Sequence, residues 1–229
     1  MNPSSTSRSR LRGQVALRLI LALPVMMALL FLPAGTFAYW EAWTYLAVVY
    51  APLTLAAFWL LKNSPDVLAR RMKLREREQI QVGIVSVAGV LMIAAFVLPG
   101  FDHRWGWSDV PVPLVVFADA IVLASYLLVF RVQQVNAYAS RIVHVEQGQQ
   151  VIDTGPYAIV RHPMYLGMLG FMVATPLALG SYRAVIPALG MLPALMARIL
   201  AEEALLRRDL PGYLAYTERV RHRLLPGIW

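Results

Sequence analysis

The chain has 229 residues, of which 59% are hydrophobic and only 15% charged, against about 45–50% and about 25% in a soluble domain. That excess argues against an ordinary soluble globular domain and for a polytopic membrane protein. The absence of cysteine excludes disulfides, a thiol nucleophile and a zinc–thiolate site, and the formal charge of +8 takes its meaning from where the charges lie.

Residues 1–14 read as a cytoplasmic N-terminal tail, polar and disordered, carrying Arg8, Arg10 and Arg12. Val15 to Pro33 is the first apolar run, with Arg18 near its start able to snorkel. A spanning helix needs ~20 apolar residues, and this run is long enough. A cleaved signal peptide is the competing reading, with Ala34 to Ala38 as a loose cleavage pattern, but the run exceeds the usual apolar core of such a leader. Tyr39, Trp40, Trp43 and Tyr45 form an aromatic cluster suited to a membrane interface.

A second span runs from about Trp43 to Leu61. The polar loop 62–79 comes next, and its Asn63-Ser64-Pro65-Asp66 opening reads as a capped helix start. A third span covers Val82 to Pro99. The loop from Gly100 to Pro111 carries Trp105 and Trp107, and a fourth span covers Val112 to Phe130. Residues 15–130 thus read as an N-terminal transmembrane region and residues 131–229 as a second region. The second region contains a helical hairpin over 164–200, rich in Pro and Gly, and an arginine-rich cytoplasmic tail.

Nineteen of the 21 Lys and Arg residues fall in four places: the N-terminal stretch through Arg18, the 62–77 loop, 131–161, and the chain from Arg198 on. Only Arg104 and Arg183 fall in the alternate loops. With about six spans (five to seven fit), the four basic places share one side, and the positive-inside rule makes that side cytoplasmic. The expected fold is an all-α polytopic transmembrane helical bundle with both termini cytoplasmic and a C-terminal, cytoplasm-facing cofactor pocket. The charge reads as an orientation signal and a contact with anionic membrane lipids. No nucleic-acid partner is expected, because no binding motif accompanies the charge.

Polar chemistry concentrates at Thr154 to Tyr165, where two turn signals, Gly155-Pro156 and His162-Pro163, open into an apolar run. The hairpin should bring Arg161, His162 and Tyr165 at its start near Glu202 and Glu203 at its end. Those carboxylates alone read as solvated partners of Arg198 or Arg207. Together with the doorway they suit a ligand bearing charged and hydroxyl groups, such as a nucleoside amino acid. Pro163 holds His162 out of the helical region. Asp119, inside the fourth span, either lines a cavity or bonds a neighbouring helix, through Ser125 or a backbone group.

Gly155 to Tyr165, then Glu202-Glu203, then Tyr213-x-x-Tyr216 and Arg221-x-Arg-Leu-x-Pro-Gly227 resemble the isoprenylcysteine carboxyl methyltransferase family and the related phospholipid N-methyltransferases. The resemblance covers roughly Arg131 to Trp229, and the segment Asp66 to Arg77 adds a weaker likeness. It implies an integral membrane methyltransferase, in a bacterial inner (cytoplasmic) membrane, that uses S-adenosylmethionine. Its acceptor would be a lipid-like or lipidated molecule reached from the bilayer, with carboxylate O-methylation favoured over phospholipid amine N-methylation. Carried over onto this chain, Gly155, Pro156, Tyr157, His162, Pro163, Tyr165, Glu202, Glu203, Tyr213 and Tyr216 would bind the cofactor. Arg161, Glu203 and Arg219 would carry the chemistry, Arg223 would help close the site, and no metal is expected. Ala158 departs from the pattern, standing where many members have a basic residue. The alternatives are an NADPH-dependent membrane reductase of the sterol-reductase type and a non-catalytic membrane protein.

Overall fold

The computed structural model of the chain describes residues 5–65, 68, 79–136, 138 and 148–229, with side chains from residue 10 in the first helix and from 89 in the third. Among these residues the fold is helical throughout. In chain order the helices are α1 (Ser5–Ala34), α2 (Trp40–Asn63), α3 (Gln79–Trp105), α4 (Val112–Val135), α5 (Pro163–Ala178), α6 (Val185–Gly190), α7 (Leu192–Asp209) and α8 (Tyr213–Arg219), with a short 3₁₀ turn at Gly155–Ala158. Most of the expected loop 62–79, including Asp66 and Arg77, lies outside the described residues.

Among the described residues, four segments are long and apolar enough to cross a membrane: Arg10–Ala34, Trp40–Asn63, Val112–Val135 and Val185–Asp209, the last combining α6 and α7. The apolar helix Pro163–Ala178 is shorter. Exposed Leu17, Ile20, Leu21 and Val25 on α1, Leu55 and Phe58 on α2, and Val116 and Phe117 on α4 give these helices an outward apolar surface. In water such a surface would be a large exposed patch; facing lipid, it is the stable arrangement.

Several boundaries differ from those the sequence suggests. α1 begins at Ser5, inside the stretch read as a disordered tail, because a helix already nucleated by an apolar run extends at little cost through helix-forming arginine and leucine. α3 continues through Pro99 to Trp105, beyond the expected span end. Asn63 ends α2, where its Nδ2 donates to Trp59 O at 2.9 Å. The helix start expected here is present with Ser64 as its cap: Pro65 is helical and Leu68 N donates to Ser64 O at 3.3 Å. Between α5 and α7, the φ of +71° at Gly180 turns the chain as the apolar hairpin requires.

Two close approaches fix the packing. α4 and α5 make the most extensive contact in the bundle. A Cβ on Gly167 of α5 would lie 2.6 Å from Val129 Cγ2 and 3.0 Å from Ser125 O, and one on Gly170 would meet Ser125 Oγ. α1 and α3 meet the same way at Gly100, where a Cβ would lie 2.6 Å from Leu30 O. Small residues that let backbones approach are the usual glue of membrane helices, where lipid removes the hydrophobic drive to associate. The main buried cluster joins Leu30, Phe31, Tyr39, Tyr45, Val122 and Leu179.

Asp119 lies in that interior at 7% exposure, on the side of Thr44 of α2. Its Oδ1 is buried without a hydrogen-bond partner among the described residues. At the same end, Asp102 Oδ2 accepts from Ser108 Oγ at 2.7 Å and Ser181 Oγ at 2.5 Å, clasping the α3–α4 and α5–α6 connections together. Tyr39 Oη donates to Leu179 O at 2.6 Å beside it.

Gly167→Ala should lower the thermal unfolding midpoint of the detergent-solubilised protein, by about 1–3 kcal/mol of overpacking. Gly89→Ala, where a Cβ meets nothing within 4 Å, should be neutral or slightly stabilising.

Candidate functional site

A small, partly open cleft lies where the end of α4, the doorway, α7 and the tail after Asp209 converge. The floor is the doorway. Its 3₁₀ turn starts from Gly155 at φ +59°, a conformation that suits glycine, with Val135 packed close behind. His162 has φ −123° and ψ 60°, off the helical region as expected before proline, and Pro163 is the first residue of α5. The backbone therefore bends sharply at Arg161-His162, and both amides leave the helix to pair with the tail. Arg161 N donates to His222 O and His162 N to Arg223 O, each at 2.9 Å.

Beneath this floor lies Glu203, 3% exposed on α7. Its Oε1 accepts from Arg161 Nε at 2.6 Å and lies 3.4 Å from His162 Nε2, and its Oε2 accepts from Arg223 Nε at 2.9 Å. Arg207, one turn along the same helix, reaches within 3.9 Å. Arg161 Nη1 also donates to Val220 O at 2.8 Å and Arg221 O at 2.7 Å. A single carboxylate thus joins α7, the doorway and the tail through charge-assisted hydrogen bonds, which are roughly twice as strong as neutral ones.

Glu202 faces the cleft instead. Tyr165 Oη donates to its Oε2 at 2.6 Å and accepts from Arg198 Nε at 3.2 Å. Opposite, Asn136 at the C-cap of α4 donates from Nδ2 to Tyr157 Oη at 2.7 Å, and Tyr216 Oη donates to Tyr157 O at 2.8 Å. Tyr157 is therefore fixed from both ends. The tail helix α8 begins after Gly212, whose φ of +83° turns the chain back over the cleft. It presents Tyr213 and Tyr216 against Val151, Leu206 and Leu210. Burial pushes the phenols of both tyrosines above the usual range, helped at Tyr213 by the nearby Glu203 carboxylate, so both remain protonated donors at neutral pH.

Of the residues singled out from the sequence, Tyr157, Arg161, His162, Tyr165, Glu202, Tyr213 and Tyr216 line the cleft. Gly155, Pro156 and Pro163 shape its backbone without lining it, and Glu203 sits under the floor. Arg219 stands apart, exposed and paired with Asp153 at 2.9 Å. Arg223 is tied to Glu203 and lies over the Trp229 ring. The sequence reading missed Asn136, Tyr138 and the 149–152 strip, all of which line the cleft. The rise in polar density after Arg131 was the only sequence signal for them.

Helices that can span a bilayer, joined at one end by a polar cleft, define an integral membrane protein. Residues 114–208 match the family model of the isoprenylcysteine carboxyl methyltransferase (ICMT) family, the family the motifs resemble. The match runs from α4 to the end of α7, so it takes in the doorway and both glutamates and stops short of Tyr213 and Tyr216. No curated protein matches the chain.

Glu203→Gln should destabilise the protein by several kcal/mol, because it leaves Arg161 and Arg223 short of their counter-charge; breaking a buried pair costs about 3–5 kcal/mol. Glu202→Gln, on the cleft surface, should leave the melting temperature nearly unchanged. Thermal unfolding of both variants in detergent checks the contrast.

Proposed function

We propose that the protein is an S-adenosylmethionine-dependent membrane methyltransferase acting on a lipid-like or lipidated acceptor, with carboxylate O-methylation as the reaction. The observation that carries this reading is the cleft's mixed lining. Arg161, His162, Tyr165 and Glu202 line it together with Val151, Leu206, Leu210 and the tyrosines of α8. A nucleoside amino acid has matching chemistry, with charged and hydroxyl groups joined to a flat, weakly polar base. The family match over the same residues agrees.

The cofactor supplies a sulfonium methyl group already activated for transfer, so what remains for the protein is alignment. Glu202, braced by Tyr165 and Arg198, presents a carboxylate that accepts hydroxyl hydrogen bonds. Arg161 brings a guanidinium to the floor, and Glu203 holds Arg161 and His162 in place from below. That floor favours an anionic acceptor group, and a carboxylate needs no base to remove a proton before it reacts. α8 covers the cleft and limits water. The apolar outer surfaces of the helices let a lipid tail remain in the bilayer while its head reaches the cleft. We place this end of the bundle in the cytoplasm of a bacterial inner membrane, on the strength of the basic residues that cluster there, and retain about six spans as the topology.

Titration calorimetry of the detergent-purified protein with S-adenosylhomocysteine, run beside NADPH, tests the reading. Saturable binding of the homocysteine ligand, weakened about tenfold or more in Glu202→Gln and His162→Ala by loss of a charged hydrogen bond, is expected. Binding of NADPH alone would point to a reductase and overturn it.

A further inference from the structure

Outside the cleft, the tail ends in a loop that closes on itself. Arg223 N and Leu224 N both donate to Trp229 O, at 2.9 and 3.0 Å, and Ile228 N donates to Leu225 O at 3.1 Å. Gly227 N donates to His222 Nδ1 at 3.2 Å. Backbone donors paired inside the loop make no demand on water, which is the condition for backbone to enter an apolar setting. The loop is also pinned against helices. Leu224 is buried, and with Trp229 it shares a cluster with Tyr165 and Leu166 of α5 and Ile199 of α7. Ile199 stands one turn before Glu203, about 6 Å farther from the cleft end of α7. Arg223, at the neck of the loop, bonds Glu203 itself. The loop therefore descends past the buried carboxylate along the wall of α7, part of a segment able to cross a membrane.

What the loop turns outward is apolar. Ile228 is 78% exposed and Leu225 37%, and the helices beneath also present Met168, Met196 and Leu200 to the outside. A single exposed apolar side chain needs no explanation. Here the exposed residues continue the outward apolar surface of helices that lipid surrounds. The flanks fit the same partner: Arg221 is exposed just before the loop, and the ring of Trp229 is partly buried at its end. Arginine and tryptophan at the edge of an apolar surface are the residues that sit at lipid head groups.

We propose that residues 222–229 are a lipid-docking loop, which inserts Leu225 and Ile228 among the acyl chains just below the head groups of the leaflet nearest the cleft. Arg221 stays at the level of the phosphates. The tail that the sequence presents as cytoplasmic thus re-enters the membrane surface. Through Arg223 and Glu203 the docked loop ties the cleft floor to the bilayer. The inference is independent of what the cleft binds.

The chain has no cysteine, so one introduced thiol reports one position. Ile228→Cys and, separately, Leu225→Cys carry a bimane label in vesicles of phosphatidylethanolamine and phosphatidylglycerol. Each is quenched in turn by a phospholipid bearing a nitroxide near the top of its acyl chain and by iodide in the water. At both positions the nitroxide lipid should quench strongly, and iodide several-fold less than it quenches the same label free in solution. Stronger quenching by iodide than by the nitroxide lipid would place the loop in water and overturn the proposal. Quenching by neither would show the loop covered by protein, a second copy of the chain included, and would overturn it as well.

Discussion

One buried carboxylate holds this end of the molecule together. Glu203 sits on a helix able to span a membrane, yet the groups that neutralise it come from far along the chain. Arg161 and His162 lie about forty positions before it and Arg223 twenty after it. An ionised carboxylate without such partners would not remain buried in an apolar setting. With them, it becomes the point at which α7, the doorway and the tail must agree in position. The backbone pairs between Arg161-His162 and His222-Arg223 repeat the constraint in neutral form. The adjacent Glu202 differs by about 100° around the helix, and that rotation turns it from the anchor's position to the cleft wall.

This division explains how much of the site could be read from sequence. The doorway was legible because proline, glycine, arginine, histidine and tyrosine rarely crowd together at the mouth of an apolar run. Glu202-Glu203 was legible because charge at the end of a span demands a partner. What sequence could not give was the facing of the two glutamates, since either could have pointed at the ligand until the partners of each were known. Asn136 and the 149–152 strip were illegible for another reason. They are ordinary polar and aliphatic residues whose only distinction is where the fold puts them.

The helices were legible as apolar runs, while their ends were less so. Pro99 and the aromatic stretch after it look like a span ending in an interfacial loop. The helix runs on to Trp105, because Gly100 allows α3 to seat directly against the α1 backbone and that packing outweighs a proline. The helix start at Asn63-Ser64-Pro65 was legible: Ser64 O accepts from Leu68 N and Pro65 opens the new turn, while the Asn63 side chain turns back to α2. At Pro99 the local signal was read correctly for its chemistry, and tertiary contact overrode it.

The backbone pairing between doorway and tail carries a consequence for assembly. The partners are separated by some sixty positions, with the whole apolar hairpin of α5 to α7 between them. The cleft is therefore completed by a contact that is non-local in sequence, which closes only when the hairpin folds back on itself. A chain lacking that contact would be helical and embedded, yet without its finished cleft. Quality control that senses only membrane integration would pass it.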